Sequence, residues 1–203
     1  MKLISLGKQS QQPPSAIELL KSQHEEVKAL FKRIEKASTR SAKTKLFDEL
    51  AANLAAHDAI EREIFYPACE KAMGMNDLLG EALVEHGVVE FSLYQADQAR
   101  KDKDFSFKCQ VLSEIVEHHV EEEEEEFFPK VQKALGKEKL QELGAKMQAR
   151  FEQAKAKDYH GALNSNLKQV LAGALKPSKR AGRATSSRKS PALPSSKRRK
   201  AAA

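Results

Sequence analysis

Residues 119–129 read His119-Val-Glu-Glu-Glu123-Glu-Glu-Glu-Phe127-Phe128-Pro129, and the same frame stands earlier as His57-Asp-Ala-Ile-Glu61-Arg-Glu-Ile-Phe65-Tyr66-Pro67. In both copies a glutamate follows the histidine at +4, an aromatic pair at +8 and +9, and a proline at +10. The two histidines are 62 residues apart, and the same step carries His24 onto His86. Residues four apart share one face of an α-helix. A run of acids is ordinarily a solvated face, but this one carries a histidine and a glutamate in a repeated register. His118 and Glu122 have the same spacing, yet only His119 and Glu123 reproduce the step to proline and the 62-residue offset. His119 and Glu123 are therefore placed inward, and His118 with most of the acidic run outward.

Four helical patterns surround these histidines. Ser15-Ala-Ile-Glu18 reads as a capping box, in which serine and glutamate satisfy free N–H groups of a first turn. From it Ile17, Leu20, His24, Val27, Phe31 and Ile34 step by three or four to about Ser38. A second helix, about Lys43 to Met73, has Phe47, Leu50, Leu54, His57 and Glu61 in line. Pro67 predicts a kink or early end there, since it lacks a donor and crowds the preceding turn; Gly74 suits the closing position. Asn76 or Asp77 caps a third helix to about Arg100, with Leu79, Leu83, His86, Glu90 and Leu93 inside. Asp104 caps a fourth, about Phe105 to Leu135, with Leu112, Val116, His119, Glu123, Phe127 and Val131 inside, and Gly136 ends it. Short turns between helices of this length predict an all-α fold, an up-down four-helix bundle. At ~1.5 Å per residue the histidines come out at about one height. An added helix, about Glu138 to Lys157, presents Leu140, Leu143, Met147 and Phe151 and is expected outside the bundle.

The net charge of +6 hides a division. Residues 1–158 hold 24 Lys and Arg against all 29 Asp and Glu, while residues 159–203 hold 11 Lys and Arg and no acid. The expected organisation is an irregular lead-in at 1–14, a bundle with its added helix at 15–157, and a basic disordered tail at 158–203 with little to bury. No apolar run reaches the ~18 residues of a membrane span, so no membrane insertion and a cytoplasmic location are expected. Cys69 and Cys109 make no disulfide framework. The bundle separates them by roughly 30 Å, which predicts two free thiols.

A lone histidine on an apolar face is usually a hydrogen-bonded core residue. Here each of four helices carries one at mid-length, and three add a glutamate one turn later: Glu61, Glu90 and Glu123. Burying so many ionisable groups without a partner costs several kcal/mol per charge. A bound cation removes that cost, because neutral imidazoles and carboxylates become its ligands. This donor set suits iron, with manganese or zinc as alternatives. Two carboxylates can bridge two metals while histidines cap each end. Glu-x-x-His, the other two-iron bundle pattern, is absent: Leu54, Leu83 and Val116 stand three before His57, His86 and His119.

His24, His57-x3-Glu61, His86 and His119-x3-Glu123, with the Phe-Tyr-Pro67 and Phe-Phe-Pro129 endings, resemble the hemerythrin-like (HHE cation-binding) domain over about residues 15–135. The resemblance implies a four-helix bundle around two non-haem iron ions that bind O2 or a related small molecule; the expected function is to bind or sense O2, peroxide, nitric oxide or iron. His24 and His57 would cap one iron, His86 and His119 the other, and Glu61 and Glu123 would bridge. Two departures point away from reversible oxygen carriage. Glu90 stands where oxygen carriers have a fifth histidine, which makes it a candidate seventh ligand. The last bridging carboxylate is Glu123 at +4, where theirs is an aspartate one residue later. Carboxylate-rich surroundings favour ferric iron and hence sensing, iron handling or peroxide chemistry. The alternative is a di-iron enzyme that decomposes peroxide or reduces O2 with an external redox partner, since no flavin, nicotinamide or nucleophile motif is present.

Residues 176–203 resemble the Lys/Pro/Ala/Ser-rich tails of histone H1-like and bacterial nucleoid proteins. Without aromatic residues they cannot stack on bases. Lysine and arginine would engage phosphates by counterion release, without sequence preference. A non-specific nucleic-acid contact, and with it a nucleoid association, is one expected role; a solubilising or anionic-surface tail is the other.

Overall fold

The computed structural model describes residues 13–172. The residues before Pro13 and the basic stretch 176–203 lie outside the described residues. Helix α1 spans Ala16–Lys36, α2 Arg40–Ile60, α3 Tyr66–Met73, α4 Asp77–Gln98, α5 Phe105–Glu122, α6 Phe128–Lys155 and α7 Tyr159–Leu171. Among the described residues there is no strand.

The starts and stops follow local chemistry. Ser15 accepts from the Glu18 N–H while Glu18 accepts from the Ser15 N–H at 2.9 Å, closing the capping box of α1. Asn76 accepts from the Leu79 N–H and starts α4. Gly74 ends α3 at φ 75°, a left-handed conformation that costs glycine little. Asp104, expected as a cap, makes no capping bond and sits in the helical region itself.

Pro67 breaks nothing. One π-helical turn, Glu61–Phe65, joins α2 to α3, and a second, Glu123–Phe127, joins α5 to α6. In these the Tyr66 N–H reaches the Glu61 carbonyl and the Phe128 N–H the Glu123 carbonyl, five residues back. A proline ring crowds the carbonyl four residues before it. Widening the turn by one residue relieves that crowding, so the helix continues past Pro67 and Pro129. The two turns begin at the two repeat glutamates.

Gly136, at φ 70° and ψ 168°, bends α6 into two rods. Residues 128–135 continue α5. The later part carries Leu140, Leu143, Met147 and Phe151, all buried, against α1 and the α2–α3 rod. The main frame is thus four rods: α1, α2–α3, α4, and α5 with the start of α6. Adjacent rods pack α1 on α2, α3 on α4, α4 on α5, and α1 on α5.

The tail boundary expected at 158 is corrected. Tyr159–Leu171 forms α7, capped by Asp158, with Tyr159, Leu163 and Leu167 buried against α2 and α4. Its sparse apolar stripe at i, i+4 and i+8 was masked by the basic composition of the whole segment.

Apolar side chains form two clusters at opposite ends of the rods. One contains Leu20, Ile60, Phe65, Phe127 and Met147, the other Leu30, Phe47, Leu50, Leu112 and Phe105. Cys69 is buried in the first and Cys109 in the second, both as free thiols. Between the clusters lies a layer of buried polar groups. No helix among the described residues is long and apolar enough to cross a membrane.

Candidate metal centre

His24, His57, His86 and His119 come from the four rods and are all buried in this layer with Glu61 and Glu123. The π turns set the two glutamates, because each begins where the helix is widened and its inward face advances. Glu61 is fully buried, and neither of its oxygens has a hydrogen-bond partner; Glu123 Oε2 and His24 Nε2 also have none.

The four imidazoles are held alike. His57 Nδ1 donates to Gln23 Oε1 at 2.8 Å, His86 Nδ1 to Asp58 Oδ1 at 2.7 Å, His119 Nδ1 to Glu85 Oε2 at 2.8 Å, and His24 Nδ1 to Glu124 Oε1 at 2.8 Å. Each rod therefore anchors the histidine of the next, and the last rod anchors that of the first. Every anchor neighbours a histidine or repeat glutamate in sequence: Gln23 precedes His24, Asp58 follows His57, Glu85 precedes His86, and Glu124 follows Glu123. With oxygen acceptors at Nδ1, a neutral ring carries its proton there and has its Nε2 lone pair free to face inward.

Inward, His57 Nε2 and His86 Nε2 each lie 3.1 Å from Glu61 Oε2. His24 Nε2 lies 3.5 Å and His119 Nε2 3.8 Å from Glu123 Oε2. The donor atoms fall into two groups, each within 4.8 Å of one another: His24, His57, Glu61 and Glu123, and Glu61, His86 and His119. Glu61 belongs to both. Tyr66 donates to Glu123 Oε1 at 3.0 Å and stands 2.8 Å from His86 Nε2.

Burial pushes the His24 imidazole down to about 4. Burial acts the same way on His86, but the hydrogen bond to Asp58 and the Glu61 carboxylate 3.1 Å away outweigh it and hold the ring up at about 10 in the absence of a cation. Burial would raise Glu61, yet His57 and His86 draw it well below the carboxylate range. Burial and then the Glu61 charge push Glu123 well above that range. Two carboxylates with three unpartnered oxygens between them, facing four Nε2 atoms, match the demand of divalent cations for deprotonated O and N donors. The residues present fit a two-metal site.

Glu90 stands apart from both donor groups. Its carboxylate is buried 3.4 Å from Arg62 Nη2 and lines a cavity of about 40 Å³ together with His24, His57, His86 and His119. Burial, then the Asp58 charge, raise Glu90 to about 8 against the opposing pull of Arg62. Arg62 binds Asp58 more closely, Nε to Oδ1 at 2.6 Å. His118 is 65 % exposed and reaches only Glu85 and Glu122.

Sequence reasoning left out the four anchors, Tyr66 and Arg62. The repeat held a signal for two of them: Gln23 and Glu85 are also 62 apart and serve His57 and His119, themselves 62 apart.

The fold and donor set define an all-helical protein with a buried histidine–carboxylate cation site. Residues 15–131 match the family described as Hemerythrin HHE cation binding domain, and the chain belongs to that family. Among its relatives, Mb2666c of Mycobacterium bovis and Rv2633c of Mycobacterium tuberculosis are each 28% identical over 141 residues, covering 68% of this chain and 86% of theirs. A crystal structure described as a Hemerythrin HHE cation binding domain-containing protein, the Rv2633c homolog from Mycobacterium kansasii, matches with a TM-score of 0.65. It is 28% identical, and the match covers 76% of this chain and 99% of that one.

Proposed function

We propose that this chain is an up-down four-helix bundle holding two non-haem iron ions and that it binds or senses a small molecule there: O2, peroxide or nitric oxide. His24 and His57 would hold one iron, His86 and His119 the other, with Glu61 and Glu123 between them. The observation that carries this reading is the buried pair Glu61 and Glu123, short of hydrogen-bond partners, facing four imidazoles whose outer nitrogens are all anchored. Bound iron would supply an open coordination position and a redox couple. The chain's own residues orient the imidazoles through Gln23, Asp58, Glu85 and Glu124, hold a proton at Tyr66 Oη beside Glu123, and keep water out with the two apolar clusters. An optical spectrum of aerobically purified protein, before and after azide, tests the reading. A ligand-sensitive charge-transfer band supports it; a spectrum blind to azide in iron-replete protein contradicts it.

Glu90 favours a second reading, a di-iron enzyme that decomposes peroxide. A carboxyl group raised to about 8 at the cavity wall can hold a proton at neutral pH and exchange it with a molecule beside it. Oxygen release on adding peroxide, lost in Glu90→Gln, separates turnover from binding. For residues 176–203 we propose non-specific attachment to nucleic acid. A salt-sensitive DNA mobility shift should vanish on truncation before Lys176, and a shift that survives truncation contradicts the attachment.

A further inference from the structure

Helix α7 begins 28 residues beyond the last residue matched to the family, yet it reaches the metal layer. Leu163 and Asn166 line the cavity that also touches His24, His57, His86, His119 and Glu90. Apart from the Asp58 carboxylate, itself tied to Arg62, His86 and Asn166, the rest of the lining is aliphatic, including Val27, Leu54, Val89, Leu93, Val116 and Val120. The cavity is about 40 Å³, where one water needs about 10–15 Å³ by this kind of measure. It has room for a molecule of roughly three heavy atoms, and its lining favours a neutral one.

α7 is fixed at three places. At its start the Tyr159 hydroxyl meets Asp97 Oδ1 at 3.0 Å and the Arg100 guanidinium. In its middle Asn166 Nδ2 donates at 2.9 Å to Asp58 Oδ2, the carboxylate that anchors His86. Near its end Val170 lies over Gly87, where even a methyl group would stand 3.2 Å from its Cγ1. Glycine at 87 lets α7 lie close on α4. Leu163 and Leu167 are buried beneath it.

We propose that α7 is the access wall of the metal centre, and that Leu163 and Asn166 restrict what reaches the imidazoles to neutral molecules of two or three heavy atoms. The size selection matters to function only if the centre holds metal as proposed above, but the wall itself can be tested without metal. Leu163 is buried and lines the same cavity as His57, so trimming it widens the approach to the inward Nε2 atoms. Asn166 is a positioning residue for His86 through Asp58 and closes the polar side of the same wall.

The test uses the full chain, freed of metal by a chelator, as wild type, Leu163→Ala and Asn166→Ala. Diethylpyrocarbonate labels neutral imidazoles, and peptide mapping gives the rate at each histidine. His118 and His160, at the surface, provide the internal reference, and a thiol reagent at Cys69, in the far apolar cluster, reports general opening. In Leu163→Ala, labelling of His24 and His57 should rise at least fivefold over wild type with the Cys69 rate unchanged. In Asn166→Ala it should rise about two- to threefold. Histidine rates within twofold of wild type in both variants overturn the proposal. So does a rise matched at Cys69, which would make α7 a general clamp on the fold. Iron uptake by the same wild-type preparation is judged separately: failure to bind iron sinks the di-iron reading, while the labelling rates still decide the wall.

Discussion

Replacing Asp58 with asparagine keeps the size of the side chain and removes its charge. Three groups lose by it: Arg62 Nε at 2.6 Å, His86 Nδ1 at 2.7 Å and Asn166 Nδ2 at 2.9 Å. Arg62 would be left buried with Glu90 alone, 3.4 Å away. Removing one partner of a buried pair costs about 3–5 kcal/mol. At about 2–4 °C per kcal/mol for a domain of this size, the metal-free variant should melt about 6–20 °C below wild type. The loss has a pH signature. His86 is raised to about 10 from an ordinary 6.5, its burial outweighed by the bond to Asp58 and the nearby Glu61 carboxylate. A raised histidine contributes stability that is fully present below 6.5 and lost as pH rises through 10. The gap between Asp58→Asn and wild type should therefore be widest near pH 6 and narrower near pH 10. Loss of an anchor behind a ligand also costs about 10–100-fold in metal affinity. Thermal melts of metal-free protein at the two pH values, with a competition titration for iron, measure both effects. A melting change under about 2 °C at pH 6 with unaltered metal affinity would refute the assignment of Asp58 as anchor.

Three further outcomes follow from the same packing. Burial holds His24 neutral, down at about 4. A depressed histidine contributes stability that is present above 6.5 and lost as pH falls through 4, on the order of 3 kcal/mol. Urea unfolding of metal-free protein should then show His24→Leu losing less stability than wild type between pH 7 and pH 4. Burial pushes Cys109 up to about 11 and Cys69 higher still. Both thiols should react with a disulfide reagent at pH 8 at least tenfold more slowly in native protein than in urea, and equal rates would contradict their burial. Gly144 lies against the backbone of Pro14 to Ala16. Gly144→Ala should force α1 and α6 apart and cost about 1–3 kcal/mol, read as a lower urea midpoint.

Much of this was legible because helices write their faces into sequence at fixed spacing. Ser15 and Glu18, Asn76, and Gly136 mark helix ends by side-chain and backbone preferences that act within a few residues. The 62-residue repeat distinguishes His119 from His118 where spacing alone cannot, and the structure buries the first and exposes the second. Glu90 shows the limit of facing: it sits one turn after His86, but Arg62 and Asp58 on another rod decide what its carboxylate meets. The π turns were hidden for a different reason. Pro67 announces strain, and relief by widening instead of breaking the helix depends on the tertiary packing of Phe65, Tyr66, Phe127 and Phe128. The anchor ring is a relation between rods, visible only once they are placed. α7 was lost to composition, since three buried side chains carry it within a segment that reads as basic and polar.

The central claim is that the four histidines and two repeat glutamates hold two metal ions. Metal analysis of the purified full-length protein beside a His57→Ala/His119→Ala variant addresses it directly. The account predicts two irons per chain in the wild type and a small fraction of that in the variant, with helical content retained. A wild type that binds no more iron than the double variant would contradict it.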